Sequence, residues 1–312
     1  MLDHTSTKKK RVLFIVNPVS GAGKREDVRR LIQDNLDTRK FTFDYVETEY
    51  RNHASELSEK ASKEKVDIVV ACGGDGTVNE VAKALVHTDT TMGIIPNGSG
   101  NGFAMHVGLG RNTKRAIQMI NDATPLRIDT CTVNDRFFLN LAGIGFDALI
   151  AYKVDHGKKR GLQMYINTVS KEIVKFKAEN YTVTTSENKT INGAFSVIAV
   201  ANAAMYGYNF TIAPKAKLTD GLLDVVFVKE ASLARTMINS WRMLNNSIHK
   251  SKLVDIIKTK EVQISLDKPY YYHVDGESFK FDSELHFKIV PKSLNVLFPL
   301  NSHVLDKQEN ND

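Results

Sequence analysis

The sequence has little cysteine: Cys72 and Cys131 are the only two, so at most one disulfide can form. That excludes a disulfide-stapled scaffold and suits a reducing compartment. No apolar run reaches the ~18 residues needed to span a bilayer. Met1 to Lys10 is polar, ends in three lysines and lacks the apolar core of a secretory signal. These absences predict a cytoplasmic protein, or one held peripherally on the inner face of a membrane. No internal repeat of fixed period is present. Nor is one sign of charge scarce: 42 Lys and Arg stand against 36 Asp and Glu, for a net charge of +6. So modest an excess requires no nucleic acid, and none is expected as a partner. An anionic ligand, an acidic membrane face and a plain solvated surface all remain open.

What is present is ordinary globular composition, with 42% apolar and 25% charged residues. At ~150 residues per domain, the 312 residues suggest two domains. The chain reads as two differently patterned parts. From Arg11 to about Ile120, buried strands alternate with helices: Val12–Val16, a helix from Lys24 to Asn35, Phe41–Val46, a helix over His53–Ser62, Val66–Ala71, a helix over Thr77–Val86, and Met92–Ile95. Continuous apolar strands between helices predict a parallel sheet covered on both faces. From about Leu126 onward short strands dominate, as in an antiparallel sandwich or barrel, with helical stretches at Phe146–Val154, Leu162–Lys175 and Ser232–His249. The expected division is a nucleotide-binding domain over 10–130, a β-sandwich over 131–300 and a polar tail over 301–312. The last strand is expected to return to the first domain.

Three loops carry the chemistry. Asn17-Pro18-Val19-Ser20-Gly21-Ala22-Gly23-Lys24 follows the first buried strand and precedes a helix. Backbone N–H groups at such a turn suit an anion, although the spacing is not that of a Walker A loop. Gly73-Gly74-Asp75-Gly76-Thr77, continuing through Asn79 and Glu80, also follows a strand and opens a helix. Its glycines let backbone approach a phosphate, and Asp75 can hold Mg²⁺ or accept a proton. Pro96-Asn97-Gly98-Ser99-Gly100-Asn101 follows the third strand. All three would leave one edge of one sheet, where open α/β sheets bind ligands.

These loops resemble the catalytic domain of the diacylglycerol kinase family, which includes bacterial lipid kinases, sphingosine kinases and ceramide kinases. The likeness extends through Thr48 with His53-Ala54, Gly145-Phe146-Asp147, Asp220-Gly221-Leu222-Leu223-Asp224 and Asp275-Gly276-Glu277. It implies a phosphofructokinase-like α/β domain followed by a β-sandwich lipid domain. It further implies an ATP-dependent transfer of phosphate to a lipid hydroxyl. By position, ATP would meet Asn17, Pro18, Ser20, Gly21, Thr48, Gly73, Gly74, Asp75, Gly76, Thr77, Asn79 and Ser99. Glu277 would be the catalytic carboxylate, with Asp75 beside it in the reaction machinery. A structural Mg²⁺ would sit on Asp220 and the main-chain oxygens of Lys217 and Leu222. From the residues alone, Asp275-Gly276 and Asp220-Gly221 also read as turns.

Diacylglycerol-type bacterial members usually carry Thr-x-Asn-Asp in the third loop, where this chain has Ser99-Gly100-Asn101-Gly102. That is closer to the sphingosine and ceramide kinase version. Asp147 matches the position of an acidic residue near the acceptor head group in sphingosine kinases, and equally suits a helix cap. Phe103, Met105, Val107, Phe146, Leu149, Ile150 and Tyr152 are candidates for an apolar acceptor pocket as well as for ordinary core. The basic tract His156–Arg160 reads as a solvated loop or as a contact for anionic lipid heads. A lipid acceptor and a peripheral membrane surface are thus the expected partners, and a homodimer stays open. Two alternatives remain: an NAD kinase, which shares the loop around Asp75, and a non-enzymatic lipid or nucleotide sensor. The first lacks a use for the Asn17-Pro18 and Ser99 loops, and the second lacks a use for Glu277.

Overall fold

A computed structural model describes residues 8–21, 27–157 and 162–300. Ala22–Glu26, the Lys158–Arg160 end of the basic tract and the tail from Asn301 lie outside the described residues. Two compact units are formed. Among the described residues, the first runs up to Gly98, takes up Val107–Arg127 and includes Leu294–Leu300; the second holds Ser99–His106 and the chain between Ile128 and Ser293.

The first unit is built on β1 (Lys10–Val16), α1 (Val28–Asn35), β2 (Phe41–Glu47), α2 (His53–Lys63), β3 (Ile68–Gly73), α3 (Asp75–Leu85) and β4 (Thr91–Pro96). Next comes α4 (Gly102–His106), which belongs to the second unit, and then α5 (Thr113–Ile120), which belongs to the first. The strands pair in parallel in the order β2–β1–β3–β4. β3 is buried along its whole length because it lies in the middle of the sheet with both faces covered. The helices start where their caps dictate. Asp27 accepts the Arg30 N–H at 3.1 Å and Asn112 accepts the Arg115 N–H at 2.9 Å. Ile32 and Ile117 then reach the core with Phe14, Val70 and Ile95. Parallel pairing has a functional consequence: β1, β3 and β4 all end at the same edge of the sheet.

The second unit contains β5 (Thr124–Val133, which starts in the first unit), β6 (Arg136–Phe138), β7 (Leu141–Gly145), α6 (Phe146–Asp155), α7 (Leu162–Glu172), β8 (Glu179–Thr185) and β9 (Thr190–Ala201). It continues through β10 (Met205–Gly207), β11 (Phe210–Thr211), β12 (Leu223–Lys229), α8 (Leu233–Leu244), β13 (Val254–Thr259), β14 (Glu261–Ser265), β15 (Tyr270–Val274), β16 (Glu277–Phe281) and β17 (Glu284–Phe298). Strands pair in the order β16–β15–β7–β9–β8–β14–β17, with β12 between β9 and β13. The period of two sorts one strand between two cores. Val225 and Phe227 of β12 pack with Ile198, Val200 and Phe287, whereas Val226 packs with Ala199, Ala201 and Ile248.

The apolar patterning of the sequence divides the last stretch into two strands, Leu285–Val290 and Leu294–Phe298, but the structure makes them one, β17. Lys292 adopts φ +46 within it and gives its N–H to Asp129 Oδ1 at 2.7 Å. That local break falls where Pro291-Lys292-Ser293 divides the apolar pattern. From Leu294 on the strand belongs to the first unit, where Val296 pairs in parallel with Met92. No helix among the described residues is long and apolar enough to cross a membrane.

Candidate active site

In the first unit the strand-end loops are tied to one another by their own side chains. Asn17 is the hub. Its N–H donates to Cys72 O at 2.9 Å, its Nδ2 donates to Thr77 Oγ1 at 3.1 Å, and its Oδ1 accepts the Val19 N–H at 3.0 Å. Ser20 Oγ donates to Asn17 O at 2.8 Å and accepts Asn97 Nδ2 at 3.2 Å. Asn97 N–H closes the set on Gly73 O at 2.8 Å. Asn17, Ser20, Thr77 and Asn97 thus fix the relative positions of the three strand-end loops.

The glycines divide by function. A side chain on Gly73 would overlap Thr77, with Cβ 2.6 Å from the Thr77 Cβ. Gly21 has φ +88, and a Cβ there would lie 3.0 Å from Asn97 Oδ1. These two are required by the fold. Gly74 and Gly76 are not: a Cβ on Gly74 meets only Gly98 Cα, at 3.3 Å, and one on Gly76 meets nothing within 4 Å. Both stand at the N-terminus of α3, where backbone N–H groups and the helix dipole favour an anion. Asp75 opens that first turn and Asn79 lies one turn further along, both half-buried. Glu80 points away to another task. Its carboxylate accepts the N–H groups of Asn52 at 2.9 Å and Ala54 at 3.2 Å, capping α2. Thr48, half-buried, extends β2 by donating its N–H to Val16 O at 2.9 Å.

The third loop is shared out. Gly98 stays with the first unit, and exposed Ser99 begins the segment that folds with the second. Within that segment a Cβ on Gly102 would lie 2.8 Å from Tyr206 O and 3.0 Å from Met205 O. Backbone oxygens at that range leave no room for an aspartate, which accounts for the departure from Thr-x-Asn-Asp.

Asp147 stands at the start of α6 with its side chain 10% exposed. Its Oδ1 accepts its neighbour Ala148 N–H at 2.8 Å; its Oδ2 accepts the Tyr206 hydroxyl at 2.8 Å and His273 Nε2 at 3.0 Å. An ionised carboxylate only accepts, so the His273 proton belongs on Nε2. Nδ1 of His273 is buried without a hydrogen-bond partner among the described residues. Burial first, then the Asp147 charge, pushes the Tyr206 phenol well above its usual range, so it stays a donor. A Cβ on Gly143 would overlap both Asp147 Oδ2 and His273 Nε2, so this β7 residue must be glycine.

The late Asp-Gly pair is a two-residue hairpin turn between β15 and β16, with φ +47 at Asp275 and +90 at Gly276. It is also an anchor. Asp275 Oδ2 accepts the Leu139 N–H at 2.8 Å, and Oδ1 accepts those of Asn140 and Leu141 at 2.9 and 3.0 Å. Glu277 opens β16 on the exposed side of this anchored hairpin. Asp275 therefore holds the turn, and Glu277 offers a carboxylate from it.

Asp220 Oδ2 accepts Lys258 Nζ at 2.8 Å, and the same ammonium reaches Asp224 Oδ2 at 2.8 Å. Asp220 Oδ1 accepts the Leu222 N–H at 3.2 Å. Asp129 fixes the adjoining loop, accepting Gly221 N–H at 2.7 Å and donating its own N–H to Leu218 O at 2.6 Å. Among the described residues no three His, Cys, Asp or Glu side chains gather as a metal site. Sequence reasoning passed over Asn97, Tyr206, His273 and Lys258. Only Asn97 had a local signal, its place in the third glycine loop; the others reach their partners across 34 to 126 residues of chain.

Residues 11–133 match the diacylglycerol kinase catalytic domain, and residues 140–298 match the YegS C-terminal NAD kinase beta sandwich-like domain. An uncharacterised protein of Synechocystis is 30% identical over 309 residues, covering 93% of this chain and 70% of that protein. A diacylglycerol kinase of Bacillus subtilis is 26% identical over 302 residues, covering 91% and 97%. The crystal structure of a putative diacylglycerol kinase from Bacillus anthracis shares the fold, with a TM-score of 0.74 at 22% identity over 95% of this chain and 99% of that one. The chain belongs to the diacylglycerol kinase family, with an α/β catalytic domain followed by a YegS-type β-sandwich.

Proposed function

We propose that this family member is an ATP-dependent lipid kinase, transferring the γ-phosphoryl group of ATP to a hydroxyl of diacylglycerol, a sphingoid lipid or a related acceptor. The observation that carries the reading is the locked set of loops in the first unit. Asn17, Ser20, Thr77 and Asn97 hold one another, while Gly74 and Gly76 leave backbone bare at a helix N-terminus. That surface suits the phosphates of ATP, which brings Mg²⁺ with it as part of the substrate. Asp75, on the same turn, is assigned to order the metal and phosphates.

Glu277 is assigned as the base. The acceptor oxygen attacks the γ-phosphorus, the bond to the bridging β–γ oxygen breaks, ADP leaves, and the hydroxyl proton passes to the Glu277 carboxylate. Asp275 does not compete for that role, because both its oxygens already accept backbone N–H groups. A resident Mg²⁺ at Asp220, Lys217 and Leu222 does not fit the residues as they stand. Lys258 supplies the positive charge that Asp220 and Asp224 require. In the second unit, the unpartnered Nδ1 of His273 favours a hydroxyl-bearing acceptor, since a hydroxyl can either donate to that nitrogen or accept from it. Asp147 fixes that imidazole. The acceptor is met at the inner face of a membrane, where a lipid kinase finds its substrate.

The test is transfer of labelled phosphate from ATP to diacylglycerol, sphingoid bases, ceramide and, as a soluble control, NAD. Labelled lipid supports the reading. Labelled NAD alone makes the chain an NAD kinase, and nucleotide binding without any transfer makes it a sensor.

A further inference from the structure

Helix α8 has its amphipathicity turned outward. At 100° per residue, Leu233, Ala234, Met237, Ile238, Trp241 and Leu244 share one face, and all six are exposed. Trp241 is 66% exposed, Met237 65% and Ile238 55%. The helix is held to its unit by the opposite stripe, where Asn239 is buried and Met243 packs with Ala199, Val226 and Ile248. A soluble helix ordinarily buries its apolar side; this one presents its only tryptophan, two leucines, an isoleucine and a methionine to solvent.

The charge carried by the helix and the segment after it, between Glu230 and Asp255, is of one sign. Residues 231–254 contain Arg235, Arg242, Lys250 and Lys252 and no aspartate or glutamate. Arg235 and Arg242 sit side by side at one edge of the apolar face, seven residues and two turns apart. We propose that α8 is a membrane-docking helix that lies in the interface of an anionic lipid leaflet, its apolar face among the acyl chains and its arginines on the head-group phosphates. An apolar face carrying a tryptophan, with basic residues at the rim, is the composition of an interfacial helix. Tryptophan prefers the head-group level, and arginine matches phosphate oxygens. A second copy of the chain fits less well. Antiparallel two-fold pairing through this face would set the same arginine edges against each other, with no acid in residues 231–254 to neutralise them. This inference uses the lipid-kinase reading only for the reason a bilayer is visited.

Because Trp241 is the sole tryptophan, the whole chain reports on its own docking face. Vesicles of phosphatidylcholine alone and of equal phosphatidylcholine and phosphatidylglycerol are titrated while Trp241 emission and sedimentation with the vesicles are followed. The emission is expected to shift to the blue, and acrylamide quenching to fall, on the anionic vesicles. Two variants change residues outside the site, all exposed except half-buried Arg242. Met237→Ser with Ile238→Ser is expected to weaken vesicle binding ~100-fold, since each large side chain loses much of its burial in lipid. Arg235→Ser with Arg242→Ser is expected to weaken it ~10- to 30-fold and to flatten its dependence on salt. Both should phosphorylate a short-chain, water-soluble acceptor at the wild-type rate. Four results overturn the proposal: no sedimentation with anionic vesicles; sedimentation without a Trp241 shift, which puts docking elsewhere; unchanged binding in both variants; or a Trp241 already quench-protected in a lipid-free dimer. A Trp241 shift without turnover on any acceptor would retain the docking helix and refute the kinase. Turnover on the soluble acceptor without a shift would do the reverse.

Discussion

Gly73 and Gly74 are adjacent in one motif, yet the structure assigns them opposite sensitivities. Gly74 has φ −90 and ψ −172, a conformation open to any residue, and its added Cβ meets only Gly98 Cα at 3.3 Å. Gly74→Ala should therefore fold. Alanine is a poorer helix N-cap than glycine, so we expect a loss of ~1 kcal/mol in stability, no more. The new methyl stands where a phosphate must approach the α3 N–H groups. Each charge-assisted hydrogen bond contributes ~1.5–3 kcal/mol, so displacing one or two weakens ATP by ~10- to 10³-fold. Gly73→Ala drives a Cβ into Thr77, at 2.6 Å from its Cβ, beside the Asn17 Nδ2 hydrogen bond. Overpacking of that kind destabilises by ~1–3 kcal/mol. Thermal unfolding read beside calorimetric titration with ATP and Mg²⁺ separates the two. Gly74→Ala should melt near the wild type and bind ATP weakly, whereas Gly73→Ala should melt early. Wild-type affinity in a folded Gly74→Ala protein would refute the assignment of that edge to phosphate.

Glu277→Gln should keep nucleotide affinity and lose ~10²–10⁴ in turnover, read from initial rates at saturating ATP. Asp275→Asn leaves an amide facing backbone donors, so unfolding in urea should show a loss of ~1–3 kcal/mol along with activity. Gly102→Asp, which restores the Thr-x-Asn-Asp aspartate, should lower the melting temperature because its Cβ meets two backbone oxygens at 2.8 and 3.0 Å. Lys153 joins α6 to α7 through Glu172 at 2.6 Å, and their hydrogen bond lowers the Glu172 pKa from 4.5. With the folded value below the unfolded one, the pair stabilises above about pH 4.5 and its contribution fades as pH falls through the folded pKa. Lys153→Met should thus melt below the wild type at pH 7, with the gap closing as the pH is lowered past 4.5.

The parallel sheet and its loops were legible because their signals are local. A buried strand, a glycine run and a helix start lie within about ten residues, and strand polarity sets all three loops at one edge. The sandwich was legible as a class, but the two halves of β17 read as separate strands because Pro291-Lys292-Ser293 looks like a turn. Asp275-Gly276 read equally as a turn or as part of the machinery, and it is a turn that positions Glu277. What stayed hidden was long-range. The join of Asp147 to His273 and Tyr206, and the grip of Lys258 on Asp220 and Asp224, depend on strand register, which no local pattern encodes. The helix at Ser232–His249 was visible, but periodicity does not say which face of a helix is covered. Only the structure shows that Trp241 points out.

The central claim is that phosphate moves from ATP to a lipid hydroxyl with Glu277 as the base. It is tested most directly with ATP labelled at the γ-phosphate, incubated with the wild type and Glu277→Gln in mixed micelles of diacylglycerol or a sphingoid base, and partitioned between organic and aqueous phases. The account predicts label in the organic phase for the wild type and a ~10²–10⁴-fold slower appearance for the variant. Label that stays aqueous with every lipid, or enters lipid equally fast in both proteins, would contradict it.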